Sequence, residues 1–170
     1  MFMKKIFIAL VTIVLLTITF GSINIASAEE QSEFYTSSNS ANNGDWSKKY
    51  EAELGTKYGK VSQKWGQGAS NNAVACNIGQ GKNNYLLLAI NAPDSKEAQM
   101  DIKYVSGENR NLSFEVNEAS TKKTIYNLNS GGWSTYSDHK EPILLKKGLN
   151  FIKFYLENGY APDLDSVTFS

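Results

Sequence analysis

The sequence predicts an all-β protein, an antiparallel β-sandwich, and three observations lead there. Apolar and polar residues alternate with a period of two in several segments, as half-buried strands require. No segment sustains the 3.6-residue apolar period of a helix. The chain holds 13 glycines and only 3 prolines, and turn residues divide it into short pieces spaced at roughly 8–12 residues, the spacing of sandwiches and barrels.

The first 28 residues stand apart from that body. Lys4 and Lys5 form a basic start, Ile6 to Phe20 is almost unbroken apolar sequence, and Ala26-Ser27-Ala28 precedes Glu29 and Glu30. This is the three-part pattern of a secretory signal peptide, residues 1–28, cleaved after Ala28. An uncleaved anchor is the alternative, but the apolar run is short against the ~20 residues a membrane helix needs. No later segment is apolar enough to span a bilayer, so the expected product is a secreted, extracellular monomer. Residues 29–47 are rich in Ser, Asn and Glu, with few large apolar groups, and read as a flexible polar leader. The sandwich proper is expected over residues 48–170.

Within it, strands are expected at Tyr50–Leu54, Tyr85–Ile90, Ile143–Leu145, Leu149–Leu156 and Leu164–Phe169. Two more carry clean alternation, through Met100, Ile102 and Tyr104 and through Leu112, Phe114 and Val116. Tyr85–Ile90 is apolar throughout, as in a strand covered on both faces or at its ends. Turns are expected at Gly79-Gln80-Gly81, Pro93-Asp94-Ser95, Ser106–Asn109, Gly131-Gly132, Lys147-Gly148 and Asn158-Gly159.

Composition excludes several functions. Seventeen basic and 17 acidic residues give a formal net charge of zero, which removes the main force for gripping nucleic acid. A single cysteine, Cys76, allows no internal disulfide, and no Cys/His cluster suggests zinc. Cys76 is expected to be a small buried residue. His139 is the only histidine and is expected on a surface loop, so Ser-His and Cys-His hydrolases are disfavoured.

Two constellations remain. On a strand, Glu51 and Glu53 share a face, and the N- and C-terminal strands of a sandwich commonly neighbour one another, which would add Asp165. Converging carboxylates suit calcium; a solvated acidic face balanced by Lys48, Lys49 or Lys103 is the alternative. The second set is aromatic: Trp133 beside Gly131-Gly132, with Tyr136, Asn158 and Tyr160 near turns. An aromatic ring beside a few polar groups suits the apolar face and hydroxyls of a sugar; rim or core packing is the alternative.

The order of motifs resembles the carbohydrate-binding modules of families 6 and 35 over nearly all of residues 48–170. It carries Tyr50-Glu51-Ala52-Glu53, Asn72-Ala73-Val74, Ile78-Gly79-Gln80-Gly81, Gly131–Tyr136, Leu144–Ile152 and Leu164-Asp165-Ser166-Val167. The resemblance implies a β-jelly-roll with a structural calcium (Ca2+) and no catalytic activity. It implies that Glu51, Glu53 and Asp165 bind the metal, with backbone carbonyls near residues 69–72. It also implies that Trp133 and Asn158, with Tyr160 beside them, bind a polysaccharide or cell-surface glycan in a cleft at the loop end. The chain departs from the pattern where a second cleft aromatic is common: it has Cys76 and Asn77 there, so a sugar would be stacked on one side only.

Two other functions stand against this one. A glycosidase or lyase needs carboxylates flanking the sugar, and Glu51 with Glu53 on one strand cannot do so. A secreted protein-interaction or adhesion domain that has lost sugar binding is the remaining alternative, since a fold does not fix a function.

Overall fold

Alternation in the sequence becomes pairing in space. A computed structural model describes residues 46–118 and 122–170; the expected signal peptide and nearly all of the expected leader lie outside the described residues. Eleven strands are present among the described residues: β1 (Lys48–Glu51), β2 (Thr56–Lys57), β3 (Ser62–Trp65), β4 (Ala73–Cys76), β5 (Leu86–Ala92), β6 (Lys96–Ser106), β7 (Arg110–Val116), β8 (Lys123–Leu128), β9 (Gly132–Leu145), β10 (Gly148–Tyr155) and β11 (Asp163–Phe169). One sheet runs β3-β4-β11-β6-β9, with β1 also on β11; the other runs β2-β5-β10-β7-β8. Every pairing is antiparallel. The architecture is a β-sandwich of the jelly-roll kind.

The core lies between the sheets. Ile102, Leu164, Val167 and Phe169 from one sheet meet Leu86, Ile90, Ile152 and Phe154 from the other, all 0% exposed. Each such side chain contributes about 1.5–3 kcal/mol by leaving water. Trp46, at the end of the expected leader, is half-buried against this core.

Three elements differ from expectation. Strand β5 alternates: Leu86, Leu88, Ile90 and Ala92 are buried while Ala89 and Asn91 are exposed, so one face is covered, not both. Strand β9 begins inside the expected Gly131-Gly132 turn and runs unbroken to Leu145, whereas the sequence predicts a strand only at its end, Ile143–Leu145. It lies at a sheet edge, where polar residues on both faces and Pro142 are tolerated, so it lacks the pattern of a buried strand. It also carries His139, which pairs opposite Ile102 and places Nε2 2.9 Å from Glu141 Oε1, not on a loop. The first strand stops at Glu51, and Ala52–Leu54 form a 3₁₀ turn closed by Gly55 N–H donating to Ala52 O at 3.0 Å. Glu51 and Glu53 therefore do not share a strand face. The turn buries Ala52 and Glu53 and leaves Leu54 74% exposed.

Candidate functional site

The loop from Gly66 to Asn72 folds over the outer face of the six-stranded sheet. Ala69 packs there on Val74, Val105 and Tyr136, and Gly66 N–H donates to Asn72 O at 3.1 Å. Asn71 and Asn72 take left-handed backbone angles (φ 56° and 55°), which asparagine tolerates better than most residues. The loop thereby delivers two side chains to the acidic residues. Ser70 Oγ lies 2.6 Å from Glu51 Oε2 and 3.0 Å from Asp165 Oδ1, and Asn71 Nδ2 donates to Glu53 Oε1 at 2.8 Å.

All three predicted acids thus surround one loop. Asp165 reaches it because β11 bulges between Leu164 and Ser166, which re-aims the intervening side chain. Ser70 has one proton for two carboxylates, so one oxygen contact there is always unsatisfied. Lys49 pairs with Glu51 at 3.0 Å, and Lys103 Nζ is 3.2 Å from Asp165 Oδ2, off the hydrogen-bond axis. Glu53 is 2% exposed, and its Oε2 has no partner among the described residues. As the side chains stand, no group of three or more His, Cys, Asp or Glu among the described residues is disposed to hold a metal ion. The orphaned Glu53 oxygen and the all-oxygen donor set nevertheless fit a hard cation. Tyr136 feels the same field: burial, then Asp165 and Asp163, push its phenol up.

Beside this cluster, on the same strand, Asp163 faces a groove of about 520 Å³. Trp133 and Tyr160 line it with Lys64, Arg110, Asn77 and Asp163. Trp133 is 50% and Tyr160 44% exposed. Two turns are clamped together to place them. Ser130 Oγ accepts from Ser106 N–H at 2.8 Å, and Ser130 N–H donates to Ser106 O at 2.9 Å. Trp133 follows this turn and rests against Gly107, where a Cβ would lie 2.5 Å from its Nε1. Tyr160 is positioned by a bridge to Gly79.

Arg110 stands between the two rings, its Cζ 4.6 Å from the Trp133 centroid and 5.8 Å from that of Tyr160. Nε and Nη2 donate to Glu108 Oε1 at 2.8 and 2.7 Å, and Nη1 to Ala161 O at 3.1 Å. Guanidinium has five donors, so it is held rigid with donors to spare. Lys64 pairs with Asp163 at 2.7 Å and sits 5.9 Å from the Trp133 centroid. Trp133 and Tyr160 are therefore brought together. Asn158 is exposed on the turn before Tyr160 and does not line the groove; Asn77 does. Cys76 is buried in β4 with Sγ 3.3 Å from Ser62 Oγ. Sequence reasoning missed Lys64 and Arg110, whose only signal was a basic residue near a strand end.

The fold and the groove define a class, a jelly-roll sandwich with an aromatic and charged site at one end. No family model and no curated protein matches the chain, but solved structures do. A family 35 carbohydrate-binding module from Clostridium thermocellum is 29% identical with a TM-score of 0.69, over 72% of this chain and 98% of its own. A family 35 module from Cellvibrio japonicus is 20% identical, TM-score 0.62, over 74% and 93%. An exo-β-1,3-galactanase from Phanerochaete chrysosporium, solved with galactose, is 22% identical with a TM-score of 0.67, over 74% of this chain and 30% of the enzyme. Family 35 carbohydrate-binding modules are thus structural neighbours of this chain over most of its length.

Proposed function

We propose that the protein is an exported, non-catalytic carbohydrate-binding module. The observation that carries this reading is the likeness to the Clostridium thermocellum family 35 module, which spans 98% of that module. Recognition would occur in the groove: a sugar face rests on Trp133, Tyr160 flanks it, and Asn77, with Asn158 at the rim, hydrogen-bonds hydroxyls. Lys64 and the spare donors of Arg110 favour a sugar bearing a carboxylate. A family 35 module solved with a glucuronic acid-containing disaccharide, 21% identical to this chain, shares the fold. No bond of the ligand is broken in this reading.

Glu53 and Asp165, with Glu51, would hold a structural calcium. Bound there, the ion neutralises the crowded carboxylates and ties the Gly66–Asn72 loop to β11, whose Asp163 lines the groove. The basic, apolar and small-residue segments of residues 1–28 support export.

Affinity electrophoresis in glucuronoxylan and in polygalacturonate tests the reading. The protein is expected to be retarded in at least one, and Trp133→Ala to abolish the retardation. If neither polymer retards it and Trp133→Ala changes nothing, the protein-interaction alternative takes its place.

A further inference from the structure

Two lysines stand against the carboxylates that the calcium reading assigns to the ion, and they are not equivalent. Lys49 pairs with Glu51 at 3.0 Å, but its side chain is 44% exposed, and such a surface pair is worth little. Lys103 stands against a deeper charge. Its Nζ lies 3.2 Å from Oδ2 of Asp165, whose side chain is 0% exposed, and 5.3 Å from the Tyr136 centroid. That oxygen accepts no hydrogen bond among the described residues, so Lys103 meets it as a charge and not as a well-aimed donor. A buried charge stripped of its partner is costly, which makes Lys103 the counter-ion of Asp165.

Lys103 has a second carboxylate within reach. It sits directly opposite Asp138 across β6 and β9, where cross-strand Cβ atoms are about 4.5–5.5 Å apart and opposite charges stabilise one another. Asp138 is nevertheless exposed and makes no ion pair among the described residues. Lys140, the next outward residue of β9, turns instead to Asp101, at 3.9 Å. The Asp138 charge is felt nearby: burial first, and then Asp138, raise the Asp101 carboxyl. Lys103 thus leans away from the partner that strand pairing supplies and toward Asp165.

A calcium ion taken up by Glu51, Glu53 and Asp165 would meet that ammonium at the same oxygen. Two cations against one carboxylate repel each other, and Lys103, 35% exposed on a flexible stem, has room to move. We propose that Lys103 is a resident competitor of calcium, an ammonium that holds Asp165 until the ion arrives and then swings to Asp138. The proposal deepens the calcium reading above and rests on it. It gives control of the site's affinity to a residue that is not a ligand. It also accounts for acids that gather round Ser70 without converging as a metal shell among the described residues.

Calorimetric titration of calcium chloride into the metal-stripped protein tests the exchange, with Lys103→Met, Asp138→Asn and Lys140→Met beside the wild type. Methionine keeps an apolar stem over Tyr136 and removes the charge. Lys103→Met is expected to bind calcium about tenfold tighter than wild type, an ordinary size for coupling between neighbouring sites. Asp138→Asn is expected to bind it about threefold weaker, because the displaced ammonium loses an exposed partner. Lys140→Met removes the same charge from the same face and is expected to change affinity by less than about twofold, since a more distant exposed charge is screened. In EDTA the Lys103→Met protein should melt below wild type, and in saturating calcium it should not. Tighter binding by a protein that is less stable in chelator is a result that general damage to the fold does not give. Equal affinity in Lys103→Met and wild type, an equal gain in Lys140→Met, or wild-type affinity in Asp138→Asn overturns the exchange and leaves calcium binding itself standing. No heat and no shift of Tm with calcium, in wild type and Lys103→Met alike, overturns the calcium reading and the exchange together.

Discussion

Glu53→Gln should reverse its effect on stability when calcium is removed. In chelator, the wild-type chain buries a carboxylate at 2% exposure with Oε2 lacking a partner among the described residues. An unsatisfied buried acceptor costs about 1–3 kcal/mol, and a charged one more. Glutamine keeps the oxygen that accepts from Asn71 at 2.8 Å and replaces the orphaned charged oxygen with a neutral amide nitrogen. The variant should therefore be the more stable by about 1 kcal/mol in chelator. With calcium at a hundredfold excess over Kd, the wild type gains about 2.7 kcal/mol, and a variant short of one charged ligand gains little of it. At roughly 4 °C per kcal/mol for a domain of this size, calcium should raise the wild-type Tm by about 10 °C. The variant should melt about 4 °C above wild type in chelator and clearly below it in calcium. Differential scanning calorimetry of both proteins with calcium and with EDTA gives the four values. The same order of melting in both buffers, or a wild-type Tm indifferent to calcium, would refute the reasoning.

Further outcomes follow from the same geometry. Gly107→Ala would place a Cβ 2.5 Å from Trp133 Nε1 and push the ring out of the groove. Polysaccharide retardation should fall nearly as far as in Trp133→Ala, while denaturant unfolding shows at most about 1 kcal/mol lost. Burial raises the Glu141 carboxyl, but hydrogen bonds from His139 and Lys123 outweigh it, so its pKa is lowered from 4.5. A lowered folded-state pKa gives stability that is present above the unfolded value and lost as pH falls through the folded one. Glu141→Gln should therefore cost on the order of 0.2–1 kcal/mol at pH 7 and nothing near pH 2, as read by urea unfolding at both.

Alternation made most of the fold legible. Met100, Ile102 and Tyr104, then Leu112, Phe114 and Val116, declared β6 and β7, because one face of each meets the core. Strand β9 showed only its end, Ile143–Leu145, and its longer run from Gly132 stayed hidden, since an edge strand with both faces partly wet shows no period. The carboxylate cluster was legible in membership but not in form. Period two put Glu53 beside Glu51 on a strand, whereas burial of Ala52 turns the chain into a 3₁₀ step. Asp165 then arrives through a bulge that spacing does not mark. Trp133 and Tyr160 were visible as aromatics near glycine turns. Arg110 and Lys64 were not, because long-range pairing alone brings a residue of β7 and one of β3 to the same rings.

The central claim, passive glycan recognition through the Trp133 groove, is tested most directly by a glycan microarray probed in calcium with the wild type and Trp133→Ala. Selective binding to glycans carrying an acidic sugar, absent in the variant, is the predicted result. An array on which the folded wild type binds no glycan, or binds the same set when Trp133 is removed, would contradict it.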